Sequence, residues 1–185
     1  QEASIGIAQA SVVETDEKLK ERVAFVHESI GTSAIAEQYI EGRELYVGIL
    51  GNQALQALPV WELFFTNMPP EAKRIATDRV KWNVKYQKKY GIESGMAKDL
   101  APEVADEIQH ICKRAYRALE LSGYARIDLR LDADGRAWIL EANPNPQIAR
   151  GEDFAASAEK AGLTYEALLQ RLLNLGLRWQ PESVA

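Results

Sequence analysis

The sequence predicts an α+β fold, and three observations carry that prediction. Strand-like runs meet at tight polar turns, Gly51-Asn52 and Asp134-Gly135, so neighbouring strands form antiparallel hairpins. Amphipathic helical runs stand in blocks beside those hairpins instead of alternating with every strand. At 185 residues, 46% hydrophobic and 26% charged, the chain can bury a core as one domain, or as one domain with part of another.

The elements follow in order. Ser4 to Val13 is a β-prone run entered through a small-residue loop. Thr15 or Asp16 caps a helix whose Leu19, Val23, Val26 and Ile30 recur at helical spacing, and Gly31 closes it. Ala34 to Ile40 reads as a strand ending at the Glu41-Gly42 turn. Glu44–Leu50 and Gln53–Val60 read as a hairpin around Gly51-Asn52. Residues 61–99 carry no clear period; their basic stretch from Lys81 to Tyr90 reads as a partly helical lid or as a loop. Pro102 fits the first turn of a long helix with a stripe of Leu100, Val104, Ile108, Ile111, Ala115 and Leu119, stopped by Gly123. Two short helices, about 153–161 and 164–176, flank Gly162.

Composition removes several function classes. A net charge of −5 argues against nucleic acid as the main partner. The single cysteine, Cys112, falls mid-helix, so no disulfide framework or cysteine metal site is expected and a reducing cytoplasm is the simplest home. No apolar run has the length of a membrane span. The chain begins at Gln1 without a signal peptide, which reads as a processed or excised piece of something longer.

The hairpin at Asp134-Gly135 holds the most chemistry. With those two residues as the loop, 131 pairs with 138, 128 with 141 and 126 with 143. One face then presents Ile127, Leu129 and Leu131 against Trp138, Leu140 and Ala142, a core. The other presents Arg126, Asp128 and Arg130 against Ile139, Glu141 and Asn143. Two carboxylates about 5 Å apart repel by about 3 kcal/mol at an effective dielectric of about 20. A cation, a retained proton, or compensation by Arg126 and Arg130 relieves that repulsion. An oxygen set of Asp, Glu and Asn suits a hard ion such as Mg²⁺ that shares a phosphate; a solvated mixed-charge hairpin is the bland alternative. Pro144 and Pro146 end the second strand and put Glu141 and Asn143 at its tip. A four-residue loop would leave Asp128 and Glu141 as diagonal neighbours, whereas a three-residue loop would separate them.

These pieces resemble the ATP-grasp superfamily, in its D-alanine–D-alanine ligase-like branch of carboxylate–amine ligases. Ser4-Ile-Gly6 resembles the end of a serine/glycine loop over the ATP phosphates. Glu37-Gln-Tyr-Ile-Glu-Gly-Arg-Glu44 resembles the hinge E-x-x-I-x-G-x-E. Arg126-Ile-Asp128 and Glu141-Ala-Asn143 match an R-x-D and E-x-N pair, and the closing helix from Gly162 resembles the family's last one. The resemblance implies that Glu37 and the Tyr39–Ile40 backbone hold adenine, Glu44 the ribose, and Ser4 and Lys81 phosphate. It implies two Mg²⁺ on Asp128, Glu141 and Asn143, with Arg126 steadying negative charge in catalysis. The implied reaction joins a small-molecule carboxylate to an amine through an acyl-phosphate at the expense of ATP.

The same resemblance divides the chain into residues 1–41, a remnant of the small lobe with its hinge strand, and 42–180, the C-terminal lobe. A lysine-bearing strand and an N-terminal substrate domain are expected ahead of Gln1, so the isolated chain is expected to be weakly active or inactive. After Asn143 the pattern departs. Gln147 stands where a glycine is usual, and Glu152 near an acceptor-contacting serine, which points away from D-alanine as acceptor. A non-catalytic nucleotide-binding relative and a plain α+β interaction domain, binding Ca²⁺ or nothing, are the competing classes.

Overall fold

The structure, a computed structural model, describes residues 7–180. The chain divides into two compact units: residues 1–40 with 64–93, and residues 41–63 with 94–185.

In the first unit, Thr15 caps α1 (Asp16–Phe25), its Oγ1 accepting from the Lys18 N–H. The helix widens into a π-helical turn, Val26–Ile30, and Gly31 ends it at φ 76°. Leu19, Val23, Val26 and Ile30 are its half-buried stripe, as their spacing predicts. Residues 7–13 form no strand. They hold a 3₁₀ turn, Gln9–Ser11, whose Gln9 side chain donates to the Lys73 carbonyl and accepts from its N–H, at 2.8 and 2.9 Å. Ala34 to Ile40 is likewise not a ladder strand. The basic stretch is helical: α2 (Asp78–Trp82) is capped by Thr77 and α3 (Val84–Tyr90) by Asn83, with Gly91 closing α3 at φ 58°.

The second unit is built on an antiparallel sheet. Strand β1 (Arg43–Leu50) pairs with β2 (Gln56–Ala57), β3 (Trp61–Phe65) and β5 (Tyr124–Leu131), and β5 pairs with β6 (Ala137–Asn143). With β4 (Ile92–Met96), the order is β4-β3-β1-β5-β6, and β2 pairs β1 alone. The expected 44–60 hairpin is therefore cut short at Pro59, and β3 takes up the remaining edge of β1.

Alternation sets the two faces of the sheet. Odd residues of β1 and β5 (Leu45, Val47, Ile49, Ile127, Leu129, Leu131) pack on α4 (Pro102–Ala118) through Ile108, Cys112 and Tyr116. The buried stripe of α4 thus lies beside the one expected: Ile111 and Ala115 are half-buried, and Leu119 is exposed beyond the helix end. On the even face, α5 (Asp153–Lys160) and α6 (Tyr165–Leu177) cover one end, where Leu50, Leu58, Phe154, Ala155, Ala158 and Leu168 form a second core. Gly48 is required there, because a Cβ would lie 2.7 Å from Leu58 and 2.9 Å from Phe154.

The β5–β6 hairpin departs from its expected turn. Its loop is Ala133 to Gly135, with the Asp132 N–H donating to the Arg136 carbonyl and Gly135 at φ 78°. The Asp132 carboxylate organises this loop, accepting from the Asp134 and Arg136 N–H groups and from the Trp138 indole. Leu129 and Leu131 then face Ile139 and Ala137. A bulge between Asp128 and Leu129 absorbs one extra residue and restores the ladder, leaving Asp128 opposite Glu141 and Arg126 opposite Asn143. Trp138, which lies across from Arg130, and Leu140 are consequently exposed and not core.

Candidate functional site

The uncovered part of the even face is polar, and strand pairing fixes its layout. One row across the sheet reads Trp61, Tyr46, Asp128, Glu141. The row on one side reads Glu44, Arg130, Trp138; on the other, Gly48, Arg126, Asn143. Every one of these residues belongs to the second unit.

The Arg126 guanidinium grips Asp128 with two hydrogen bonds, Nε to Oδ1 at 2.6 Å and Nη2 to Oδ2 at 2.7 Å. It also lies over the Tyr46 ring, 4.8 Å from its centroid. Burial disfavours the charged guanidinium, but the hydrogen bonds and charge of Asp128 outweigh it and hold the group above its ordinary pKa. Glu44 is gripped from both sides: Oε1 accepts from the Tyr46 hydroxyl at 3.0 Å and Oε2 from Arg130 at 3.2 Å. Burial raises the Glu44 carboxyl, and Arg130 and the phenol pull it partly back. The Tyr46 phenol is pushed well up by its burial and then by Glu44 and Asp128. At the far end, Asp153 in the first turn of α5 accepts from the Trp61 indole at 3.1 Å and from the Ser94 hydroxyl at 2.5 Å.

The residues that could hold a hard cation are buried Asp128, exposed Glu141 directly across from it, and half-buried Asn143 two pairs along, whose Oδ1 also accepts from the Asn145 N–H at 2.9 Å. Among the described residues no three His, Cys, Asp or Glu side chains come together to hold a metal. An ion held at this place would draw its remaining ligands from water or a bound molecule. It must also share the Asp128 oxygens with Arg126 or displace it.

The structure gathers Glu44, Arg126, Asp128, Glu141 and Asn143 on one face. Ser4 lies outside the described residues. Glu37 is exposed and Tyr39 and Ile40 half-buried, with the Lys73 ammonium 5.7 Å from the Tyr39 ring centroid. Lys81 sits half-buried in α2; all four of these belong to the first unit. Tyr46, Trp61, Arg130 and Asp153 complete the polar face. Of these, Tyr46 was open to inference from its place two residues after Glu44 on the same strand. Trp61 and Asp153 meet only through long-range folding.

A family model described as D-ala D-ala ligase C-terminus matches residues 1–174. The D-alanine–D-alanine ligase of Desulfotalea psychrophila is 33% identical over 175 residues, covering 95% of this chain and 51% of that protein. That of Bordetella petrii is 38% identical over 143 residues, covering 76% of this chain and 40% of its own. The D-alanine–D-alanine ligase of Bacillus anthracis, solved in complex with ATP, superposes with a TM-score of 0.68 at 23% identity, covering 90% of this chain and 48% of that one. The chain thus spans about half the length of the relatives it matches.

Proposed function

Since the chain belongs to the D-alanine–D-alanine ligase C-terminal family and has its α+β ATP-grasp fold, we propose that it is the nucleotide- and metal-binding part of an ATP-dependent carboxylate–amine ligase. The observation that carries this reading is the direct pairing of Asp128 with Glu141, with Arg126 and Asn143 as the next pair on the same face.

In this reading Asp128, Glu141 and Asn143 would hold the two Mg²⁺. Bound there, the metal supplies positive charge to the triphosphate. Glu44 accepts from the ribose hydroxyls, Glu37 and the Tyr39–Ile40 backbone receive adenine, and Ser4 and Lys81 meet phosphate. A substrate carboxylate oxygen attacks the γ-phosphorus and ADP departs; the amine then attacks the acyl carbon and phosphate departs. Arg126 lies beside the metal ligands, where its guanidinium steadies the charge of the acyl-phosphate and of the tetrahedral oxyanion. No covalent nucleophile is required, so positioning and electrostatics carry the rate.

The acceptor remains a matter of chemistry rather than of the family name. Gln147 and Glu152 differ from the small residues expected after Asn143. Arg150 pairs with Glu166 and lies over the Tyr165 ring, and Glu152 is exposed at the start of α5. An acceptor other than D-alanine, larger or charged, suits that surface.

Calorimetric titration with Mg²⁺-ATP, and with Ca²⁺ alone as control, tests the reading. Wild-type chain binds Mg²⁺-ATP, and Asp128→Asn with Glu141→Gln weakens it about tenfold or more, as expected for losing charge-assisted contacts. Equal binding by both proteins removes the metal assignment, and heat from Ca²⁺ alone favours a cation-binding interaction domain.

A further inference from the structure

Tyr46 occupies the junction between the two halves of the polar face. Its hydroxyl donates to Glu44 Oε1, its ring lies under the Arg126 guanidinium, and its backbone position is directly opposite Asp128. The side chain is buried, so these contacts are made away from bulk water, where each counts for more. We propose that Tyr46 is a positioning residue for nucleotide binding, fixing the ribose-binding carboxylate of Glu44 relative to the Arg126–Asp128 pair at the proposed metal site.

The inference rests on the nucleotide reading of Glu44 given above and adds what holds that carboxylate in place. Glu44 has two oxygens and two donors on them, Tyr46 and Arg130. Each oxygen keeps a lone pair for a ligand hydroxyl, so the grip aims the carboxylate without consuming it. Arg130 holds Glu44 from the neighbouring strand and is itself tied to the Gly42 carbonyl at 3.4 Å. The phenol adds the second hold on Glu44, from two residues along the same strand, while its ring lies under the Arg126 guanidinium, 4.8 Å from the centroid. One aromatic side chain thereby links Glu44 to the Arg126–Asp128 pair.

The test is the preference of the chain for Mg²⁺-ATP over Mg²⁺-2′-deoxy-ATP, measured as a ratio of Kd values for wild type, Tyr46→Phe and Glu44→Gln. Tyr46→Phe removes only the hydroxyl and keeps the ring, so the variant folds, with a thermal midpoint lowered by the loss of one buried hydrogen bond. The ratio falls about threefold or more in Tyr46→Phe and in Glu44→Gln, in line with one lost hydrogen bond. Tyr46→Leu, which also withdraws the ring from Arg126, weakens both nucleotides further and together. A wild-type ratio that Glu44→Gln abolishes and Tyr46→Phe preserves overturns the proposal and leaves the reading of Glu44 standing. Equal weakening of both nucleotides in Tyr46→Phe reduces Tyr46 to a structural part and also overturns it. A wild type indifferent to the 2′-hydroxyl overturns the reading of Glu44 and this proposal together.

Discussion

Arg130 and Glu44 form an ion pair whose side chains are 4% and 7% exposed, so each charge depends on the other. Removing one partner of a buried pair costs about 3–5 kcal/mol, because the survivor is left without compensation. Arg130→Met should therefore destabilise the chain by about 3 kcal/mol near neutral pH. The sign of its pH dependence follows from Glu44, whose carboxyl burial already raises and Arg130 pulls back. Without Arg130 it rises further, and a raised carboxyl favours folding only while protonated. The cost of Arg130→Met should shrink as pH falls toward the carboxylate range and be greatest above it. Urea unfolding of both proteins at pH 5 and pH 7.5 measures this; an equal difference at both values contradicts it. At this scale the sequence was informative about which side chains share a face, since alternation alone puts Arg126, Asp128 and Arg130 together. It was silent on how Arg126 turns to hold both Asp128 oxygens, because rotamers answer to neighbours that only the fold supplies.

The β5–β6 hairpin keeps its acidic pair opposed through a different construction. A two-residue turn was expected at Asp134-Gly135; the loop instead begins one residue earlier, because the Asp132 carboxylate binds the turn's own N–H groups. The resulting shift would part Asp128 from Glu141, and the bulge beside Leu129 cancels it. Leu140 is displaced outward and Trp138 turns to Asp132, which explains why the expected core face was wrong there while the acidic pair was right. Bulges leave no periodic signal, so sequence patterning could not find this one. Of the helix caps, Thr15 was legible, whereas Thr77, Asn83 and Thr164, which the sequence did not single out, likewise accept from the backbone three residues ahead. The junction of α5 with the sheet depends on Gly48. Gly48→Ala sets a methyl against Leu58 and Phe154, and overpacking of this kind costs about 1–3 kcal/mol. A lower urea midpoint with unchanged slope is the expected result; unchanged stability would mean that Phe154 yields freely.

For the whole molecule, the division at Ile40 and again within β3 and β4 assigns the expected site residues to two units. Glu37, Tyr39, Ile40 and Lys81 belong to one, Glu44 and the metal-ligand set to the other. The stretch 64–93, which sequence periodicity left unread, joins the N-terminal unit, since its helices are too short to show a stripe. No helix of the described residues is long and apolar enough to cross a membrane. Relatives about twice as long are matched over about half their own length. The second unit sets Asp128 directly opposite Glu141, where we propose a phosphate-borne metal. Paramagnetic broadening locates such an ion directly. With isotope-labelled chain and sub-stoichiometric Mn²⁺-ATP, amide signals of Asp128, Glu141 and Asn143 should fade before those of α4, which lies on the opposite face. Asp128→Asn with Glu141→Gln should abolish that pattern. Broadening centred on another part of the chain, or unaltered in the double variant, contradicts the account.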